Sequence, residues 1–466
     1  MGRVSDRRRL GAARIVGLGL SLAALSVQFV LAPMPVAAAS GWAEFGTPTA
    51  TTSFETGVTF TQPVVIDREL RRVELLLRFG DADGETVIAV PLQPGTGAQT
   101  LSHQLDPVAD GHILPNTPLT ARWRLVGADD QTDVDVGPEV DVTFEDDRFD
   151  WRTEAGELVR VHWYEGADAF GNRALGIAEE AIREATELLQ VTEDDPIDFF
   201  VYADVDAFRE ALGPGTRENV GGQANAEIRT LFALITPGEI DDSWVAIVIP
   251  HELMHLVFDT AVSNPYYFPP RWLNEGLAVH VSQGYDASDR SAVERSAADG
   301  TLVPLDGLTG QFPTSFERFS LAYAESVSAV DYLIETYDEE VLVSLIRSYA
   351  NGLSDEQAFT DALGQDMTAF GDAWLESLGA SPPTKYGPQP APAGPVPSAW
   401  LREPGGSPQA AATGEPGASP GTAAGGETVV DNNGPVIAVL LIVLVVAGIA
   451  IVAFVRRRRP DPGPVG

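Results

Sequence analysis

The chain of 466 residues contains no cysteine, one lysine (Lys385) and only six histidines. Without cysteine it can build no disulfide framework, thiolate nucleophile, iron–sulfur cluster or thiolate zinc site, so any metal must be held by histidine and carboxylate. Acidic residues outnumber basic ones by 67 to 30, and the formal net charge is −37. This charge argues against nucleic acid as a partner, because phosphates require a basic surface.

The composition is that of a folded protein with more than one domain. Hydrophobic residues make up 44% of the chain and charged residues 21%, which is enough apolar material for real cores and excludes wholesale disorder. The length suggests two or three domains.

The N-terminus has the three parts of a secretory signal. A basic start that includes Arg7-Arg8-Arg9 is followed by an apolar run from Ile15 to Ala32, and small residues at Ala37-Ala38-Ala39 precede Ser40. This order predicts a signal peptide over residues 1–39. An uncleaved N-terminal anchor is the alternative.

A second apolar run lies near the C-terminus. Val436–Val455 carries no charge and is followed at once by Arg456–Arg459, which predicts a transmembrane helix at 435–455. The positive-inside rule places the basic tail, 456–466, in the cytoplasm. The protein is therefore expected to cross the cell membrane once, with everything between the two runs outside the cell.

Between these ends the pattern predicts two folded regions and a linker. Residues 40–146 alternate apolar and polar positions between turn signals, as in Val73–Phe79 and Ala121–Leu125, which predicts an immunoglobulin-like or fibronectin-like β-sandwich. Residues 147–380 show strands first and helices after, with a continuous helical pattern over 316–378, which predicts an α+β domain. Residues 381–434 are rich in Pro, Gly and Ala and predict a linker.

The motif that carries chemistry is HELMH at positions 251–255. Positions four apart on a helix differ by about 40° around its axis, so His251 and His255 project from one face and can hold one ion between their rings. Pro250 stands directly before the motif, where its missing N–H and its ring predict a kink or the start of a new helix.

A second motif, WLNEGLA at 272–278, follows Pro269-Pro270, so a helix is expected to start near Arg271. This predicted helix contains Glu275. A catalytic zinc takes three protein ligands and keeps one position open for water, and His251, His255 and Glu275 meet that count without any cysteine.

HELMH and NEGLA together resemble the motifs of the gluzincin zinc metallopeptidases of the peptidase MA group, which include thermolysin and the membrane-alanyl aminopeptidases. The resemblance covers about residues 150–380. It implies a gluzincin-like fold in which the two histidines and Glu275 hold Zn²⁺. It also implies that Glu252 is the general base, and that Asn225-Ala226 belong to the edge strand on which gluzincins pair the substrate backbone.

The resemblance also suggests an oxyanion donor, because gluzincins often use a tyrosine or histidine from a later helix. Tyr323, within LAYAES, is the candidate. A packed helical tyrosine is the alternative role for Tyr323, and Tyr332 and Tyr266-Tyr267 are secondary candidates. Val279 stands where many thermolysin-like enzymes have an acidic group that supports a ligand, so the support of the histidines is left open.

These observations predict a membrane-anchored, extracytoplasmic zinc metallopeptidase that hydrolyses peptide or protein substrates with a zinc-activated water. The alternative is a non-catalytic cell-surface binding or adhesion protein with a peptidase-like domain. Intact HELMH and Glu275 favour the peptidase, since a degenerate domain would be expected to lose Glu252 first. An intramembrane protease is excluded because HELMH lies far from the predicted span. No exopeptidase signature is found, which leaves endopeptidase and aminopeptidase, the substrate, the role of the sandwich and the oligomeric state open.

Overall fold

The computed structural model describes residues 41–382, apart from 81, 83, 93–94, 108–110, 129–132, 214–220 and 265–267. The predicted signal peptide, transmembrane helix and cytoplasmic tail lie outside the described residues, as does the predicted linker beyond 382. Tyr266 and Tyr267 also lie outside them.

The N-terminal region consists of two antiparallel sheets packed face to face. Its strands are β1 (Ala43–Phe45), β2 (Thr49–Ser53), β3 (Gly57–Ile66), β4 (Arg72–Phe79), β5 (Thr86–Val90), β6 (Gly97–Leu105), β7 (Thr117–Val126), β8 (Val134–Val136) and β9 (Val140–Phe144). In one sheet β3 pairs with β1, β2 and β6; in the other, β4 pairs with β5 and β7, and β7 also pairs with β8 and β9.

Alternation along the strands builds the core of this sandwich. Phe60 on β3 and Trp123 on β7 are fully buried between the sheets, together with Leu75 on β4. The chain changes sheet between β3 and β4, between β5 and β6 and between β6 and β7, as in the Greek-key connections of sandwich folds. The β-rich N-terminal region expected from the sequence is confirmed.

The second region begins with a five-stranded sheet. Its strands are β10 (Arg152–Ala155), β11 (Val159–Trp163), β12 (Ile197–Tyr202), β13 (Gly222–Asn225) and β14 (Thr230–Leu234), and two helices, α1 (Asp168–Leu189) and α2 (Val205–Leu212), connect them. The sheet order is β10-β11-β12-β14-β13. The three central strands are parallel, whereas β10 and β13 run antiparallel to their neighbours at the two edges.

Helices form the rest of this region. They are α3 (Val245–Val262), α4 (Arg271–Ser282), α5 (Ala287–Asp299), a 3₁₀ helix (Leu305–Leu308), α6 (Phe316–Tyr337), α7 (Glu339–Ala350), α8 (Asp355–Leu363) and α9 (Met367–Ser377). The helical pattern over 316–378 is thus divided into four helices. Helices α1 and α3 contact the sheet, while α4 contacts both α3 and α6.

Helix α3 is the central element of the second region. By length and composition it could cross a membrane, but 67% of it is buried inside the protein, so we assign it as a core helix. It begins five residues before Pro250 and continues through it. The expectation of a new helix at Pro250 is therefore wrong. Pro250 lies in the second turn, where the missing N–H removes one hydrogen bond of the helix.

The sandwich packs against the sheet of the second region on the side of α2. Phe54 and Leu114 from the sandwich contact an aromatic cluster that includes Tyr202 and Phe232. The contact also contains polar groups, because Asn116 in the sandwich donates a hydrogen bond to Asp198 at 3.0 Å. The two regions are thus joined by both apolar packing and hydrogen bonding.

Candidate metal centre

Two helices bring the predicted ligands together. His251 and His255 lie on α3, one turn apart, and Glu275 lies on α4, which packs beside α3. All three side chains are buried. Among the described residues they form the one group of His, Asp and Glu side chains arranged to hold a metal ion, with ligand atoms within 4.8 Å of one another.

The ligand atoms converge on one point. Oε2 of Glu275 lies 3.7 Å from Nε2 of His251 and 3.7 Å from Nε2 of His255. A tetrahedral zinc site with metal–ligand distances of roughly 2.0–2.2 Å needs ligand atoms about 3.3–3.6 Å apart. The two distances to Glu275 exceed this spacing by only a few tenths of an ångström.

The hydrogen bonding of these atoms supports the same conclusion. Nε2 of both histidines and Oε2 of Glu275 are buried and have no hydrogen-bond partner within the described part of the chain. Leaving three such atoms without a partner is costly. An ion bound between them would satisfy all three, so the residues present fit a zinc ion.

The histidines are held in the form that binds a metal. Nδ1 of His255 lies 2.8 Å from Oδ1 of Asn274, and because an amide oxygen only accepts, Nδ1 carries the proton and Nε2 keeps its lone pair. Burial lowers the pKa of His251 to about 3 and is also the main cause that lowers the pKa of His255 to about 4. Both rings are therefore neutral at physiological pH.

Glu252 lies beside the ligands but is not one of them. Its Oε2 accepts a hydrogen bond from the main-chain N–H of Ala224 on β13, at 3.0 Å, while its Oε1 is buried and unpartnered among the described residues. Burial, followed by the nearby charge of Glu275, raises the pKa of Glu252 well above its usual value. The strand approaches closely because Gly222 has no side chain: a Cβ there would lie 3.0 Å from Cγ of Glu252.

The two oxygens of Glu275 have different surroundings. Oε1 accepts a hydrogen bond from Nε of Arg271, one turn earlier on α4, at 3.0 Å, and Nη2 of the same guanidinium lies 3.0 Å from Oε1 in an ion pair. Oε2 faces the histidines. Tyr323 on α6 is buried, and its hydroxyl hydrogen-bonds to the Glu275 carboxylate.

The other sequence candidates take different positions. The ring of Tyr332 packs against Phe370 at a centroid distance of 5.7 Å, so Tyr332 is not part of the centre. Asn225 ends β13, and its side chain accepts a hydrogen bond from the N–H of Ile228 in the following turn, at 3.2 Å; Ala226 lies beyond the strand. Val279 is buried, and the support for His255 comes from Asn274 instead.

Sequence reasoning missed the residues that orient the ligands. Arg271 stands four positions before Glu275, the spacing at which helix side chains pair, and Asn274 stands directly before it within NEGLA. These local signals could have been used. The amide of Ala224, in contrast, comes from a strand 28 positions before Glu252, and no sequence spacing indicates that contact.

The peptidase-like region matches a known family. The model of the Peptidase MA superfamily covers residues 177–380. This segment is therefore similar to the members of that superfamily. The gluzincin resemblance based on HELMH and NEGLA is thereby confirmed, and the matched segment contains all four residues of the centre and Tyr323.

Individual relatives are more distant. Aminopeptidase M1-A of Oryza sativa subsp. japonica is 26% identical over 242 residues, and the match covers 49% of this chain and 25% of the relative. The chain thus corresponds to about a quarter of that enzyme.

Two solved structures are also similar. The M1 zinc metallopeptidase of Deinococcus radiodurans is 13% identical with a TM-score of 0.35, over 74% of this chain and 95% of that one. Yeast LTA4 hydrolase in complex with bestatin is 13% identical with a TM-score of 0.33, over 72% and 65%.

Proposed function

We propose that this protein is a zinc-dependent peptidase that hydrolyses peptide bonds without a covalent intermediate. The observation that carries the proposal is the convergence of three buried, unpartnered ligand atoms from His251, His255 and Glu275. A fourth unpartnered oxygen, Oε1 of Glu252, belongs to the next side chain of the same helix. The name of the rice relative, an aminopeptidase, agrees with this reaction.

The residues of the centre have separate roles in the proposed reaction. Zinc, when bound to the two histidines and Glu275, supplies a Lewis acid that polarises the scissile carbonyl and lowers the pKa of a water molecule. Glu252 takes the proton from that water at Oε1 and passes it to the leaving amine. The N–H of Ala224 holds the other oxygen of Glu252 and so fixes the direction of Oε1.

The substrate binds along β13. Among the described strands β13 lies at the edge of its sheet and pairs only with β14, and the N–H of Ala224 ties it to Glu252. An extended peptide can add to such an edge through main-chain hydrogen bonds. Tyr323, whose hydroxyl lies at the Glu275 carboxylate, stabilises the oxyanion by turning its O–H toward the substrate.

The test separates the base from the ligands. Glu252→Gln keeps the size of the side chain but removes the base, so hydrolysis of a peptide library should be lost while one zinc per chain stays bound. Glu275→Ala should instead lose zinc, because it removes one of three ligands. Full activity in Glu252→Gln would end the peptidase proposal. A tightly held zinc in Glu275→Ala would mean that the third ligand is another residue.

Glu179→Gln is the matched control. Oε1 of Glu179 also accepts hydrogen bonds from strand amides, those of Leu158 and Val159, each at 2.9 Å. It lies on α1, away from the ligands. This substitution should leave both hydrolysis and zinc content unchanged.

The proposed peptidase is anchored in the cell membrane with its catalytic region outside. The proposal is supported by the uncharged run Val436–Val455, the arginines that follow it and the basic, apolar N-terminus. Protease added to intact cells should cut first within 381–434 and release a soluble fragment that contains the zinc ligands. A full-length protein after this treatment, with a tag after Arg459 accessible from outside, would reverse the orientation.

A further inference from the structure

Arg271 makes an unusual contact with the third ligand. Arginine commonly binds a carboxylate with two parallel hydrogen bonds, one to each oxygen. Here Nε and Nη2 of Arg271 both lie 3.0 Å from the same oxygen, Oε1 of Glu275. The other oxygen, Oε2, is left buried and without a partner among the described residues, 3.7 Å from both histidines.

The position of Arg271 is fixed by a segment outside the two motifs. Its main-chain N–H donates to the carbonyl of Thr309 at 2.9 Å. Its guanidinium lies 4.6 Å from the ring centroid of Phe312. The buried Phe312 ring also packs edge-on against Tyr323, at 5.4 Å. The segment 309–312 therefore contacts both the main chain and the guanidinium of Arg271.

We propose that Arg271 is a positioning residue for the metal centre. It fixes the rotamer of Glu275 by holding Oε1, so that Oε2 alone is presented to the ion. This inference rests on the proposed function, because it assumes that Glu275 binds zinc. A glutamate side chain that must be ordered before it can bind costs conformational entropy, and hydrogen bonds to metal ligands commonly contribute a factor of about 10–100 to metal affinity.

The experiment measures zinc affinity directly, by competition with a chromophoric chelator on the full-length protein. Arg271→Met keeps most of the aliphatic volume against Phe312 but removes the hydrogen bonds, and it should weaken zinc binding by about 10–100-fold. Arg271→Lys, which restores one charged donor, should recover part of this loss. The absorption spectrum of the cobalt-substituted protein should also change in Arg271→Met, since the carboxylate then binds differently.

Arg290→Met is the matched control. Arg290 also pairs with a carboxylate, that of Asp331 at 3.3 Å, and lies over an aromatic ring, that of Tyr285 at 4.2 Å. It is on α5, and neither partner is a zinc ligand. Its substitution should leave the zinc affinity and the cobalt spectrum unchanged.

The outcomes distinguish this inference from the proposed function. Wild-type zinc affinity in a folded Arg271→Met protein would overturn the positioning role, as would an equal loss in Arg290→Met. If Arg271→Met does not fold, Arg271→Lys decides: affinity equal to that of the wild type overturns the role, because one ammonium group cannot reproduce both contacts of the planar guanidinium. A wild-type protein that binds zinc but hydrolyses no peptide would refute the peptidase and leave the positioning role standing.

Discussion

Gly276, directly after the proposed ligand Glu275, should be the most sensitive glycine of the metal centre. A Cβ at this position would lie 2.5 Å from the main-chain oxygen of Ser326 and 2.8 Å from Cγ2 of Val330, both on α6. A main-chain oxygen cannot rotate away as a side chain can. Gly276→Ala should therefore push α4 and α6 apart or bend one of them.

The magnitude follows from two opposing effects. Alanine gains up to about 1 kcal/mol over glycine in a helix. Overpacking a close contact typically costs about 1–3 kcal/mol, and the overlap with a backbone atom places Gly276 at the upper end of that range. A net loss of about 2 kcal/mol should lower the midpoint of thermal unfolding by roughly 4–8 °C for a region of this size.

The assay is thermal unfolding of Gly276→Ala beside Gly176→Ala. Gly176 lies on α1, is exposed, and has no atom within 4 Å of an added Cβ, so the same substitution there should raise stability by about 0.5–1 kcal/mol. The two variants should thus shift the midpoint in opposite directions. A Gly276→Ala protein as stable as Gly176→Ala would refute the argument that α4 and α6 are in rigid contact.

Three further predictions concern pH and metal affinity. Burial alone would raise the pKa of Asp198, but hydrogen bonds from His162, Arg160 and Asn116 lower it to about 2. The ionised carboxylate therefore stabilises the fold above the unfolded pKa near 4, and this stabilisation is lost as pH falls toward 2. Asp198→Asn should cost about 1–2 kcal/mol of unfolding free energy at neutral pH and should make stability less dependent on pH in acid unfolding curves. Burial raises the pKa of Glu325 to about 8. Between the unfolded pKa and pH 8, the free energy of unfolding of the wild type in urea should therefore fall by up to about 1.4 kcal/mol per pH unit, whereas that of Glu325→Gln should not. Equal dependence of the unfolding free energy on pH in the two proteins would contradict the prediction. Asn274→Ala should weaken zinc binding about 10–100-fold in chelator competition, because it frees the ring of His255, and an unchanged affinity would show that Asn274 does not orient that ring.

Much of the architecture could be predicted because its signals are local. Alternation at Val73–Phe79 predicts a strand with one buried face, and the structure has β4 at Arg72–Phe79. Pro269-Pro270 predicts a helix start near Arg271, and α4 begins there. Pro250 shows the limit of such rules: the sequence allowed a new helix to start there, but α3 continues through it, because burial of α3 on several sides outweighs the one hydrogen bond that proline removes.

The proposed ligand set could be predicted from the sequence itself. The period of the α-helix places His251 and His255 on one face wherever α3 lies in the fold, and WLNEGLA predicts Glu275 as the third ligand without reference to its surroundings. The use of histidine and carboxylate ligands in place of thiolates likewise follows from composition alone, since the chain has no cysteine.

Only the tertiary structure decided how these side chains are held. The amide of Ala224 reaches Glu252 from a strand 28 positions away, and Phe312, from the segment before α6, lies against Arg271. The structure alone likewise shows that Oε2 of Glu275 is the oxygen that faces the histidines. Periodicity determines which face of a helix a side chain occupies, but packing between segments distant in sequence determines what that face meets.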